Sequence, residues 1–409
     1  MNFHRVAYIM SRFPGLSETF ILREMCEMDR LGWDIRLYPL IYQEEEVVHE
    51  EAKPWINRVR RPSWFPIIKE NIRLMFLRPL KYLSILYRLV LGNVNSLKFL
   101  SRAIVVFPMA VWMARKMSEE KIKHIHCHYA THPALAAWVI NQFTGIPYGI
   151  TVHAHDIFVD RSMLQQKLFD AKYVIAISEY NRRFLVSHYG DWVERKTHIV
   201  HCGIYPEKYK RNRPFPLGRF EVISIGSLRP YKGFTFLLDA CQLLKQQALN
   251  FRCRIIGGGE LQNSLSAKIK DLGIEDVVEL LGPKNQTEVA ELLKTSDCYV
   301  QPSIITTSGK MEGIPVSLME AMAGELPVIA STISGIPELV IHEKTGLLVA
   351  PEDPKALAAM ILKIHNDPHG ASLLSKRGRE LVLSEFDIIK TTERLSHLFN
   401  SFFKDELWK

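Results

Sequence analysis

The chain has 409 residues, 47% hydrophobic and 23% charged, with 22 Gly and 21 Pro in no period. Collagen-like and low-complexity chains are excluded, and the length suits two or three domains that bury cores without disulfide staples. Lys and Arg outnumber Asp and Glu by 52 to 44, but Lys53–Lys116 carries thirteen basic residues against Glu70 alone, a net of +12 that leaves −4 for the rest.

Apolar periodicity places the elements in chain order. VAYIM from Val6 reads as a strand, SRFPGLSET as a loop, FILREMCEMDRLG as an amphipathic helix closed by Gly32, and WDIRLYPL as the next strand. This is a β-α-β unit of a parallel sheet. The basic segment interrupts the rhythm with helix-like stretches. Strands resume at HIHCHYA, PYGITVHAHD and AKYVIAIS, with a helix from Glu179. YPEKYKRNRPFPLGR, residues 205–219, is Pro-rich and aperiodic and is expected to be a linker. A second β-α-β series follows: FEVISIG, RCRIIG, VVELLG, CYVQPS, PVIAS and GLLVAP as strands, with helical patterns between them and a closing helical tail from Phe386. Two doubly wound domains facing each other would hold ligands at the carboxyl ends of their strands.

Six scattered cysteines without a C-x-x-C pair read as a reduced, cytosolic chain. The first residues lack the apolar stretch and cleavage site of a secretory signal. Ala103–Ala114, between Arg102 and Arg115, is too short an apolar run to span a bilayer, which takes about 20 residues.

Four motifs carry chemistry. In Glu312-Gly313-Ile314-Pro315-Val316-Ser317-Leu318-Met319-Glu320, Pro315 suits the first helical position, and the amides of Val316 and Ser317 make an anion site. Glu312 and Glu320 can accept hydrogen bonds from hydroxyls on either side of a bound diphosphate; an acidic helix start gives the same pattern by chance about as often. Ser227-Leu228-Arg229-Pro230-Tyr231-Lys232-Gly233 puts two cations beside a helix start, yet lacks the P-loop pattern, which disfavours ATP hydrolysis. Gly257-Gly258-Gly259-Glu260 is a tight turn between strand and helix, weak alone. His153, at a strand end near Asp156, suits a donor, a general base or a core position. His124, His126 and His128 alternate toward one face, but no carboxylate or Cys spacing completes a metal site, so none is expected.

Together these motifs resemble the retaining glycosyltransferases of family 4, with the GT-B fold, over nearly the whole chain outside the basic segment. FPGLSETFILREM resembles a bacterial exopolysaccharide-building subset of the colanic-acid type, and EGIPVSLMEAMAGELPVIASTISGIPELVIHEKTGLLVAPED is specific for the family. The resemblance implies an α/β GT-B chain: an acceptor-binding Rossmann-like domain over 1–204 with a basic helical insertion at about 53–116, the linker 205–219, a nucleotide-sugar-binding domain over 220–385, and a last helix over 386–409 crossing back. It implies transfer of a hexose, with retention, from a UDP-linked sugar to a lipid-linked or oligosaccharide acceptor, without metal or cofactor.

The family roles fall on matching residues. Glu312 would hold the donor sugar hydroxyls and Glu320 the ribose, while Gly313, Ile314, Pro315 and Val316 approach the diphosphate and Gly258 lines the donor site. Lys232 would neutralise the diphosphate. His153 would bind the sugar, so His153, Lys232 and Glu312 form the expected catalytic set. Gly15 lies near the phosphate, and Ser17, Glu18 and Asp156 on the acceptor side. The family's Arg after the strand-end glycine is Ser227 here, with Arg229 two positions on as the replacement cation. Rival readings are a sugar-nucleotide epimerase of the same fold and a non-catalytic membrane-docked scaffold.

In residues 64–116, large apolar side chains alternate with Lys and Arg at helical intervals. A helical insertion with a solvated basic face is the plain reading. Nucleic acid is not expected, since no binding motif accompanies the charge. Docking on an anionic membrane fits best, placing the protein peripherally on the inner face of the cytoplasmic membrane.

Overall fold

The computed structural model describes residues 5–13, 19–42, 50–210 and 218–404. Gly15, Ser17 and Glu18, and residues 211–217 of the expected linker, lie outside them. The chain forms two units, residues 1–200 with 392–409, and residues 201–391.

The first unit begins with β1 (Arg5–Phe13), α1 (Thr19–Arg30) and β2 (Asp34–Tyr42). Gly32 at φ 89° closes α1, with the Trp33 N–H donating to the Met28 carbonyl as in a Schellman stop. Three helices follow: α2 (Trp64–Leu77), α3 (Pro79–Asn93) and α4 (Leu97–Glu119). Pro79 separates α2 from α3 because the residue before a proline avoids helical angles; Arg78 has φ −141° and ψ 57°. Then come β3 (His124–His128), α5 (His132–Thr144), β4 (Tyr148–Val152), β5 (Tyr173–Ala176) and β6 (Thr197–Ile199). The six strands pair in parallel in the order β2-β1-β3-β4-β5-β6.

The uncharged run 103–114 is part of a longer helix. It lies within α4, 23 residues long, which by length and composition alone could cross a membrane. Its face of Phe99, Ala103, Val106, Phe107, Ala110 and Val111 is buried inside the unit, as in a core helix.

The second unit contains β7 (Phe220–Ile225), β8 (Phe251–Ile256), β9 (Val278–Gly282), β10 (Cys298–Gln301), β11 (Val328–Ser331) and β12 (Leu347–Val349). They pair in parallel in the order β12-β11-β10-β7-β8-β9. Each unit is therefore a Rossmann-like sheet with one topological switch, between β1 and β3 in the first and between β7 and β10 in the second.

The segment expected to link the domains belongs, at its start, to the second unit. Pro206–Tyr209 form a short 3-10 turn, and Tyr209 is fully buried in that unit's core because its hydroxyl has a carboxylate partner there. The helical tail expected from Phe386 is the helix Ile388–Lys404, preceded by another, Pro368–Glu385. Leu395 and Phe399 of the tail helix lie in the first unit's core with Tyr8 and Tyr173.

Candidate functional site

The switch point of the second sheet gathers most of the residues singled out in that half. Gly226 follows β7, and Lys232 ends the short turn Pro230–Lys232. A Cβ at Gly226 would stand 2.8 Å from Lys232 Cε and 2.9 Å from its Nζ, so a side chain there would displace the end of the lysine from this position across the strand end. Gln301, the last residue of β10, and Ser303, two positions on, reach the same place. Lys232 Nζ forms an ion pair with Glu312 Oε1. Glu312 Oε2 accepts from Gln301 Nε2 at 2.8 Å and from the Ser303 hydroxyl. Each partner of the ion pair is only 10% exposed, so its attraction is weakly screened.

Glu320 lies on helix Val316–Ala323 and accepts from the Tyr209 hydroxyl at 2.6 Å; Gln286 Nε2 donates to that hydroxyl at 2.9 Å. Between the two carboxylates, Tyr299 donates to Gln301 Oε1 at 2.5 Å and its hydroxyl lies 2.8 Å from Ser317 Oγ. Burial first, then the charges of Glu312 and Glu320, raise the Tyr299 pKa, so this hydroxyl stays protonated.

One expectation about this helix start needs correcting. Pro315 is the cap before the helix and not its first residue: at ψ 127° it is extended, while its carbonyl accepts from the Leu318 and Met319 amides. The amides of Val316 and Ser317 remain without an acceptor among the described residues, an anion-binding arrangement. Arg229, expected as the second cation, is exposed at the start of the turn and has no side-chain partner among the described residues. Lys232 is the cation that the strand end holds.

The glycine turn acts through its backbone. A Cβ on Gly257 would stand 1.9 Å from the Gly226 carbonyl oxygen, and one on Gly259 2.7 Å from that of Leu228. The Gly258 carbonyl accepts from the Leu228 amide at 3.0 Å, which locks this turn against the lysine loop. Gly313 is half-buried and Ile314 buried beside Glu312.

In the first unit, a polar cluster sits at the carboxyl ends of β3 and β4. His153, 7% exposed, lies with its ring 4.9 Å from that of Phe20 and 4.6 Å from that of Tyr129. His153 Nε2 is 3.3 Å from His128 Nδ1, and His128 Nε2 is 3.2 Å from Glu24 Oε1. Tyr8 donates to the same Glu24 oxygen at 2.9 Å. His126 bonds Thr151 Oγ1 at 3.1 Å and Tyr173 at 3.3 Å, and His124 bonds Tyr173 at 2.6 Å. Burial, with His128 as the second cause, holds the His153 pKa well below the usual histidine range.

Asp156 has a different place from the acceptor side expected of it. It is 1% exposed and accepts from the backbone amides of Ala130 and His153 at 2.8 and 3.0 Å. It fixes the loop that carries His153 and does not touch the imidazole through any hydrogen bond found. Burial nonetheless raises its pKa against those amides.

The structure also supplies what the histidine spacing lacked. Glu24, from α1, joins His126 and His128 so that one ligand atom of each lies within 4.8 Å of the others. Gln301, Ser303, Gly226, Tyr209 and Glu24 had no sequence signal beyond their positions at strand ends or in a helix.

Residues 17–208 match the family description Glycosyltransferase Family 4, and residues 206–381 match Glycosyl transferases group 1. The chain is 28% identical to the amylovoran biosynthesis glycosyltransferase AmsK of Erwinia amylovora, over 94% of this chain and 96% of that one. It is 29% identical to the putative colanic acid biosynthesis glycosyltransferase WcaL of Salmonella typhimurium, over 97% and 100%. In fold it is similar to Anabaena Alr3699/HepE, solved in complex with UDP, at a TM-score of 0.71, 17% identity and coverage of 97% and 99%.

Proposed function

The chain belongs to the glycosyltransferase family that these two descriptions span, and on that premise we propose that it is a retaining hexosyltransferase of cell-surface polysaccharide biosynthesis. Its donor is a UDP-linked sugar and its acceptor a hydroxyl of a lipid-linked or polysaccharide-precursor molecule. AmsK is named for amylovoran biosynthesis and WcaL for colanic acid biosynthesis, and HepE was solved in complex with UDP. The observation that carries the reading is the Lys232–Glu312 pair at the second sheet's switch point, beside the two amides of Val316 and Ser317.

The reaction is limited by departure of the nucleoside diphosphate. Lys232 and the helix N-terminus beginning at Val316 supply fixed positive charge where negative charge grows, a preorganised stabilisation that requires no metal. Glu312 accepts from sugar hydroxyls, and Glu320, oriented by Tyr209, from the ribose. Among the described residues no side chain stands out as a glycosyl nucleophile, so the acceptor attacks from the face that the diphosphate leaves. The test is a panel of nucleotide-sugars scored by thermal shift, followed by transfer with the best donor. A product with the donor's anomeric configuration is expected; an inverted product or no stabilisation by any nucleotide-sugar would overturn the reading.

The same proposal places the enzyme on the inner face of the cytoplasmic membrane. What supports this is the outward face of α2 and α3. Trp64, Phe65, Phe76 and Leu80 are 73, 74, 80 and 84% exposed, and Ile68, Ile72, Leu83 and Tyr87 are also exposed. Lys69, Arg73, Arg78, Lys81 and Arg88 are interleaved with them and exposed. The inner stripe of α3, Tyr82, Ile85, Leu89 and Asn93, is already buried. An apolar surface this large needs a partner, and its cations favour anionic lipid.

A further inference from the structure

The cluster of Glu24, His128 and His153 has a direction. A carboxylate only accepts hydrogen bonds. His128 Nε2, 3.2 Å from Glu24 Oε1, therefore carries the proton. A neutral imidazole has one N–H, so His128 Nδ1 is bare and must accept. Its partner, His153 Nε2 at 3.3 Å, is then the N–H. That leaves His153 Nδ1 as a bare acceptor, and it has no partner among the described residues. Resting on the reading of His153 as a sugar-binding group, we infer that Glu24, acting through His128, is a positioning residue that fixes His153 as its Nε2–H tautomer, so that Nδ1 accepts a hydrogen bond from a hydroxyl of the bound sugar.

The surroundings hold the chain of three in place. Tyr8 donates to Glu24 Oε1 at 2.9 Å and keeps the carboxylate turned inward. Asp156 and Asn181 hold the His153 backbone from its amide and its carbonyl. Phe20 and Tyr129 pack on the His153 ring, and Tyr129 adopts φ 75°, a left-handed backbone that is costly for a bulky residue and sits directly after His128. Both histidines lie at the ends of adjacent strands, His128 as the last residue of β3 and His153 just after β4. A carboxylate that accepts from one ring nitrogen and so sets the imidazole's tautomer is a known way to orient a histidine. Here it would work through an intervening ring.

The experiment uses the full-length protein with 15N-labelled histidine, dialysed against chelator at pH 8, and long-range proton–nitrogen spectra. His153 is expected as the Nε2–H tautomer in the wild type and in Glu24→Gln, whose amide oxygen still accepts, and as a mixture in Glu24→Ala. In steady state, Glu24→Ala should raise the donor KM about tenfold, equivalent to about 1.4 kcal/mol, with kcat little changed. Glu24→Gln should restore it, and Glu24→Ala should add nothing to His153→Ala. An Nδ1–H tautomer of His153 in the wild type, which a protonated His128 or a metal on Glu24 and His128 would produce, overturns the inference, as does an unaltered His153 spectrum in Glu24→Ala. Should the tautomer be as stated while His153→Ala keeps its donor KM, the relay stands and the sugar-binding reading of His153 falls.

Discussion

Lys232 and Glu312, eighty residues apart in sequence, meet as a nearly buried ion pair across the ends of β7 and β10. Neither motif signals the other, and the pairing changes what their removal does. From sequence, each reads as a group that meets the donor, with no partner of its own. In the structure each is the other's charge partner, so substitution acts on stability as well as on chemistry.

Lys232→Met and Glu312→Gln should each lower transfer by about a hundredfold or more. Each should also cost on the order of 3 kcal/mol, because a buried charge is left without its counter-ion. The double variant Lys232→Met/Glu312→Leu should regain much of the stability and none of the activity. Near-normal turnover by either single variant would refute the donor site.

Tyr209→Phe removes the hydroxyl that bonds Glu320 and leaves the ring in the core. The expected loss is about 1–2 kcal/mol in urea unfolding. The KM for the nucleotide-sugar should rise several-fold with kcat nearly constant, as for lost ground-state binding. An unchanged KM would detach Glu320 from the nucleotide.

Acid should unfold the first unit early. Burial holds His124 down to about 3 and His132 down to about 4, and keeps His126 and His153 well below 6.5. These rings are neutral when folded and titrate near 6.5 when unfolded, so below pH 6.5 the unfolded chain binds more protons. Stability then rises with pH across that window, by up to about 1.4 kcal/mol per pH unit for each ring. Asp156, with its raised pKa, opposes this in part. Lys167, buried and pushed down to about 7, adds to the rise above pH 7. Urea midpoints should fall from pH 7 to pH 5, and His124→Asn should flatten the decline; a midpoint constant over that range would contradict the assignment.

The full-length protein should sediment with anionic vesicles at low salt and less so at high salt. Neutralising Lys69, Arg73, Arg78, Lys81 and Arg88 should abolish the salt-dependent part. Exchanging Phe65, Phe76 and Leu80 for Ser should weaken binding without loss of Tm, since these side chains are exposed. Absence of vesicle binding at every salt concentration would make the exposed face a site for another partner.

The sequence alone determined the two α/β halves, the order of their strands along the chain and the family. These rest on local periodicity and on motifs read within a few residues, as in HIHCHYA or EGIPVSLME. It also located the basic helical stretch, because helical spacing of apolar and cationic residues is a local property. The tertiary structure decided who faces whom. It turned Arg229 outward and Asp156 inward, made Tyr209 a core residue of the second unit, and brought Glu24 to a histidine 104 residues away. Parallel sheets impose this: each strand end is joined to its neighbour by a crossover of many residues, so groups that meet at a switch point are distant in sequence and carry no shared local signal.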